Sequence, residues 1–246
     1  LYPISYSELV DTTNKLEAHR TLNTRLIYGS YPEVINNPGK EKNILIELAQ
    51  SYLYKDILRL EGIRKSGHLE KLLQALAFQV GNEISYHELS RTVGNIDSST
   101  VEKYLDLLEK TYVIYKLPAF SRNMRSEIKK GKKYFFYDNG IRNVLISNYA
   151  PTELRSDKGA LWENFLLSER MKYNHYEENV PNTYFWRTHD QAEIDYIEDL
   201  NGVLNAFEFK WKVGKIRFPE SFLNAYPNNQ TQVINHDNFE SFVGIA

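Results

Sequence analysis

Cysteine is absent from all 246 residues, which excludes disulfides and thiolate zinc sites and fits a reducing, cytoplasmic setting. The six histidines, at 19, 68, 87, 175, 189 and 236, include no pair at helical metal spacing, so zinc is not expected. No apolar run reaches membrane-spanning length and no signal peptide opens the chain, so no membrane partner is expected. Nor does one charge dominate: 30 Lys and Arg stand against 32 Asp and Glu, a net charge of −2. Any nucleic-acid contact must therefore rest on a local patch. Repeats and low-complexity segments are missing as well, and the first residue is Leu1 rather than Met, so the chain reads as a piece of a longer protein. The 42% hydrophobic content is ample for buried cores.

What is present divides into a helical first part and a strand-rich second part. Tyr31-Pro32 and Asn37-Pro38-Gly39 supply turns within residues 1–40, which do not read as an independent core. From Glu41 to about Leu60 the positions Ile44, Leu45, Leu48, Ala49, Tyr52, Leu53 and Ile57 keep helical spacing, and Leu69, Leu72, Leu73, Leu76, Ala77 and Val80 repeat it before Gly81. Ser85-Tyr86-His87-Glu88 predicts a capping box for a helix ending at Gly94, and Ser99-Thr100-Val101-Glu102 predicts another. Strands at Tyr112 to Leu117 and Lys133 to Tyr137 follow, which makes a winged-helix pattern, and Asp138 or Asn139 is placed to cap a short helix after it. The polar segment from Asn148 to Asp157 marks a domain boundary. Beyond it the spacing predicts a helix from about Lys158 to Tyr173 and strands at Thr183 to Arg187, Ala192 to Ile197 and Val203 to Trp211. A helix at Glu220 to Ala225 and a strand at Gln232 to Asn235 close the chain. The expected fold class is α+β: residues 1–40 as a tail and linker, a helical and winged-helix domain over 41–150, and an α/β domain with a mixed central sheet over 151–246.

Chemistry concentrates in Glu193-Ile194-Asp195 and, thirteen positions after Asp195, Glu208-Phe209-Lys210. Side chains alternate along a strand, so Glu208 and Lys210 project together while Phe207, Phe209 and Trp211 bury the other side. By the same rule Glu193 and Asp195 share a face with Ile197, and Ile194 and Tyr196 face the core. Carboxylates of this kind suit Mg²⁺ or Mn²⁺, and an adjacent ammonium orients a water or stabilises phosphate charge. Asp195, Glu208 and Lys210 are the candidate catalytic residues, with Glu163, Asp195 and Glu208 as metal ligands; Glu193 is a further ligand or, more modestly, a structural neighbour. The plainer reading of Glu-x-Lys is a cross-strand charge pair on a solvated strand. Arg187 contacts a phosphate backbone or else caps its strand in a salt bridge, and Trp162 and Trp186 belong to the core.

A helix glutamate, a strand aspartate and Glu-x-Lys on the next strand, here Glu163, Asp195 and Glu208 with Lys210, resemble the PD-(D/E)XK restriction-endonuclease-like superfamily. More of the chain is similar to the AAA+ ATPases with a DUF4143 C-terminal region: Tyr28-Gly29-Ser30-Tyr31-Pro32-Glu33, Ser51-Tyr52-Leu53-Tyr54-Lys55-Asp56-Ile57, Tyr134-Phe135-Phe136-Tyr137-Asp138, Gly159-Ala160-Leu161-Trp162-Glu163-Asn164-Phe165, and Trp186-Arg187 leading into Glu193-Ile194-Asp195. That resemblance implies a winged helix followed by a nuclease-like domain, with an ATPase module upstream whose tail resembles Leu1 to Leu9. No G-x-x-x-x-G-K-[ST] phosphate loop occurs here, so ATP is expected only through that other module.

Between Ala119 and Lys133, Arg122, Arg125, Lys129, Lys130, Lys132 and Lys133 give a local charge of +5 against Glu127, which suits a phosphate backbone. The helix ahead of this wing carries Asp97, Glu102, Asp106 and Glu109, which oppose entry into a major groove. Three functions are therefore in view. One is metal-dependent phosphodiester cleavage; another is a non-cutting module that binds nucleic acid or a protein partner for the ATPase; the third is an assembly module built on the helices at 41–80. The oligomeric state is left open by all three.

Overall fold

The computed structural model describes residues 2–51, 66–121, 131–214 and 216–245. Residues 1–40 are more helical than their turn signals imply. Ser5 and Glu8 form a reciprocal capping box that starts α1 (Tyr6–Thr12), Asn14 caps α2 (Lys15–Tyr28), and Pro32 opens α3 (Pro32–Ile35). The Ser-x-x-Glu spacing at Ser5 was the sequence signal for this entry. The long helix predicted from Glu41 is seen as α4 (Glu41–Leu48); its continuation through Tyr52 to Leu60 lies outside the described residues.

Next come α5 (Ser66–Phe78), the short strand β1 (Glu83–Ile84), α6 (Tyr86–Val93) and α7 (Ser98–Lys110). Ser85 caps α6 as its capping box predicts, accepting from the Glu88 amide. The second predicted box is displaced: Asp97, rather than Ser99, caps α7, because its carboxylate reaches the Ser99 amide at 2.7 Å and so draws the helix start two residues earlier. β2 (Ile114–Pro118) and β3 (Lys132–Phe136) pair antiparallel, and β1 adds to the other edge of β3, giving the order β1-β3-β2. Asp138 then caps α8 (Asn139–Leu145).

The second half follows the predicted order and adds one short helix, not predicted, after the last strand. The helix α9 (Lys158–Tyr176) precedes the strands β4 (Asn182–Arg187), β5 (Glu193–Leu200) and β6 (Val203–Phe209), then α10 (Glu220–Ala225), β7 (Asn229–Ile234) and α11 (Phe239–Phe242). The sheet runs β4-β5-β6-β7, antiparallel except for the parallel pair β6–β7. The protein is thus mixed α+β, with eleven α-helices and two sheets, one of them mixed, among the described residues.

One apolar cluster draws Leu22, Leu72 and Leu105 from the first half together with Trp162, Phe207 and Phe239 from the second. A smaller cluster of Trp186, Ile194, Ile197, Leu204, Ala206 and Phe222 fills the other face of the second sheet, under α10. The sheets also touch, through a bridge between Ala119 and Phe185. This juncture brings β3 up to the Glu193 end of β5.

A carboxylate and lysine cluster where the sheets meet

Strand alternation alone misplaces part of β5. Tyr184 pairs with Ile197 but Trp186 pairs with Ile194, so β5 carries one extra residue between those pairs. The bulge turns Ile194 and Ile197 to the same apolar cluster, away from Tyr196, which packs with Phe207 and Phe209 on the opposite face. The expected grouping of Ile197 with Glu193 and Asp195 against Ile194 is therefore wrong. The ladder to β6 ends at the pair Tyr196–Phe207, and beyond it the Asp195 carboxylate itself accepts the Phe209 amide at 2.8 Å. Asp195 is fixed beside Glu208 by that bond.

On β6 the alternation holds. Phe207 and Phe209 are buried in the main core, and the Lys210 ammonium lies 2.9 Å from Glu208 and 3.7 Å from Asp195. Burial pushes the Glu208 carboxyl up, Asp195 adds to this, and Lys210 opposes both. For Lys210 burial favours the neutral amine, but Asp195 and Glu208 outweigh it and raise its proton affinity.

Glu163 arrives from α9. Its neighbour Asn164 clamps the helix to β3, accepting from the Phe136 amide at 2.7 Å and donating to the Phe136 carbonyl at 3.0 Å. The same strand carries Lys133, whose side chain is buried and ends 2.5 Å from Glu193 and 3.7 Å from Glu163. Burial lowers the Lys133 proton affinity, but Glu163 and Glu193 raise it further, so the ammonium stays charged. Glu163 is the most perturbed acid of the group: burial, with Asp195 and Glu193, pushes it up to about 8 against the pull of Lys133 and Lys210. Its Oε1 is buried without a hydrogen-bond donor.

Of the residues predicted to meet nucleic acid, Arg122, Arg125, Lys129 and Lys130 lie outside the described residues. Lys132 donates to the Tyr86 hydroxyl and lies over its ring. Lys133 points inward. Its direction was signalled by its position beside Tyr134, Phe135 and Phe136 in a strand buried on both faces, where a lysine persists only if paired. Arg187 pairs with Glu83 at 3.5 Å and Glu193 at 3.9 Å and bonds Gln191, the salt-bridge alternative for that residue. Trp162 and Trp186 are core residues, as expected.

The structure thus gathers Glu163, Glu193, Asp195 and Glu208 with Lys133 and Lys210, four acids against two lysines. As they stand, each of the four acids is ion-paired with one of the two lysines. Among the described residues no group of three or more His, Asp or Glu is disposed to hold a metal ion. The donorless Glu163 oxygen and the surplus of acid still fit a hard cation in chemistry. Closing Glu163, Asp195 and Glu208 around one requires the two ammoniums to give way.

The fold and site define a two-sheet α+β protein with an acidic, lysine-bridged cluster where its sheets meet. The chain belongs to the family described as a domain of unknown function (DUF8612), matched over residues 19–152, and a second domain of unknown function, DUF4143, is matched over 158–243. DUF4143 therefore covers the second half, and the resembling segments before residue 150 fall within DUF8612. Among curated relatives, an uncharacterized protein of Haemophilus influenzae is 30% identical over 165 residues, 61% of this chain and 41% of the relative. An uncharacterized protein of Mycobacterium tuberculosis is 28% identical over 164 residues, 65% of this chain and 36% of the relative. One from Methanocaldococcus jannaschii is 25% identical over 193 residues, 76% and 41% respectively. The chain spans less than half the length of these relatives. No solved structure matches it.

Proposed function

We propose that this chain is the nucleic-acid-acting part of an AAA+ family ATP-binding protein, a winged helix followed by a nuclease-like domain. The observation that carries the reading is the placement of Asp195 beside Glu208 on neighbouring strands, with Lys210 reaching both at 3.7 and 2.9 Å. The order α5-β1-α6-α7-β2-β3, with its three-stranded antiparallel sheet, supports the winged-helix part. Glu163, Asp195 and Glu208 would hold Mg²⁺ or Mn²⁺, which supplies charge neutralisation at a phosphodiester. Lys210, freed from Glu208, orients the attacking water or stabilises phosphate charge, and Asp195 stays fixed by the Phe209 amide. Arg187, about one-third exposed, is positioned to exchange its pairing with Glu83 for a phosphate. ATP enters only through a module outside this chain.

A second reading rests on Lys133 and Lys210, which are already ion-paired with the four carboxylates: the same fold holds nucleic acid or a protein partner for the ATPase without cutting. Incubation with plasmid and single-stranded DNA in Mg²⁺ or Mn²⁺, beside Asp195→Ala and Lys210→Ala, separates the two. Cleavage by the wild type that falls at least about 100-fold in both variants supports the cutting site. Equal behaviour of all three rejects it. Salt-dependent DNA binding without cleavage, weakened by neutralising Lys129, Lys130 and Lys132, identifies the non-cutting module.

A further inference from the structure

Charged side chains of alternating sign run from the surface into the acid cluster: Glu83 on β1, Arg187 on β4, Glu193 on β5, Lys133 on β3 and Glu163 on α9. Arg187 lies 3.5 Å from Glu83 and 3.9 Å from Glu193, and Lys133 lies 2.5 Å from Glu193 and 3.7 Å from Glu163. Three acids thus share two cations, and the Glu163 Oε1 at the inner end has no hydrogen-bond donor. The series also joins the two halves of the chain, because β1 and β3 belong to the first sheet and β4 and β5 to the second.

Lys133 has another acid within reach. Glu83 stands directly opposite it in the antiparallel pairing of β1 with β3, and opposite residues project to one face of a sheet. The Glu83 carboxylate leans along that face and lies against the Gly131 α-carbon, where a Cβ would collide with it. Space adjoins the path between the two positions. The Lys133 ammonium lies over the Phe185 ring, 5.1 Å from its centre, and Phe185, Glu83, Gly131 and Arg187 all line an open cavity of about 480 Å³. Lysine carries its charge on a flexible four-carbon stem, so a change of rotamer suffices to exchange Glu193 and Glu163 for Glu83.

We infer that Lys133 is a movable internal counter-ion, which closes the acid cluster when no divalent cation is bound and crosses to Glu83 when one is. The inference rests on the reading of Glu163, Asp195 and Glu208 as cation ligands. An ammonium 3.7 Å from Glu163 is repelled by any divalent charge which that carboxylate holds. At Glu83, Lys133 takes the place of Arg187, which is thereby released for a phosphate. A side chain of the first sheet in this way controls access to the acids of the second.

Mn²⁺ titration of the whole chain, followed by electron paramagnetic resonance, tests this in a cycle of wild type, Lys133→Met, Glu83→Gln and the double variant, each checked for fold by far-ultraviolet circular dichroism. Lys133→Met, which removes the competing charge, binds Mn²⁺ about tenfold or more tightly than wild type. Glu83→Gln, which removes the receiving acid, weakens uptake about fivefold where Lys133 is present and less than about twofold where methionine replaces it. The wild type gives an independent reading, whatever the fate of the variants: acetylation of lysines, located by mass spectrometry, leaves Lys133 protected in chelator and modifies it in saturating Mg²⁺. Equal Mn²⁺ affinity of wild type and Lys133→Met, an equal effect of Glu83→Gln in both backgrounds, or protection of Lys133 with and without Mg²⁺ overturns the counter-ion and leaves the cation ligands standing. Absence of bound Mn²⁺ in all four proteins rejects the cation ligands themselves, and the inference with them.

Discussion

Glu163 is a carboxyl that folding makes harder to ionise. Its ordinary value of 4.5 is pushed up to about 8 by burial and by Asp195 and Glu193, so between those pH values the native state binds the proton more tightly than the unfolded chain. Stability must then fall as pH rises through that interval. In metal-free protein the loss from this group is on the order of 3 kcal/mol, and Glu163→Gln removes the slope while leaving the side chain's shape. Urea denaturation in chelator at pH 5 and pH 8 reads this directly; identical slopes for wild type and variant would remove Glu163 from the account. At this scale the sequence was informative where a strand alternates without interruption, as at Glu208 and Lys210. It failed at Ile197, because a bulge is a property of the paired strands, and it did not give the partners of Lys133, because those acids come from α9 and β5, distant in sequence.

Between elements, most boundaries were legible because they rest on local chemistry. Ser85 and Asp138 cap where expected, and α10 covers the predicted residues. Less legible was what joins α9 to β3. Asn164 reads as an ordinary helix residue, yet it is 1% exposed and binds both the amide and the carbonyl of Phe136, with a further bond of 2.7 Å to Asn139. Asn164→Ala leaves these buried groups unpaired and should cost about 2 to 4 kcal/mol. It should also loosen the approach of Lys133 to Glu163, which removes part of the pull that holds the Glu163 carboxyl down, seen as a steeper Glu163 stability slope than in wild type. A cost below about 1 kcal/mol by denaturant unfolding would show that this clamp is incidental.

Across the whole molecule, residues from Tyr6 to Ile245 share one core cluster, and the second sheet meets the first at the bridge Ala119–Phe185. The segment 148–157 that separates the two halves in sequence does not separate two cores. Unfolding should therefore be a single transition: tryptophan fluorescence, which reports Trp162, Trp186 and Trp211 of the second half, and far-ultraviolet circular dichroism, which reports all helices, should give superimposable urea curves. Two resolved midpoints would mean that the halves unfold separately. The same continuity is what delivers a lysine from one sheet to acids on the other, and the cluster's claim to be a cation-dependent phosphodiester site is best tested at the cation. Electron paramagnetic resonance of Mn²⁺ titrated into the whole chain should show bound metal in wild type and at least about tenfold weaker uptake in Asp195→Asn; no bound Mn²⁺, or equal uptake by both proteins, would contradict the account.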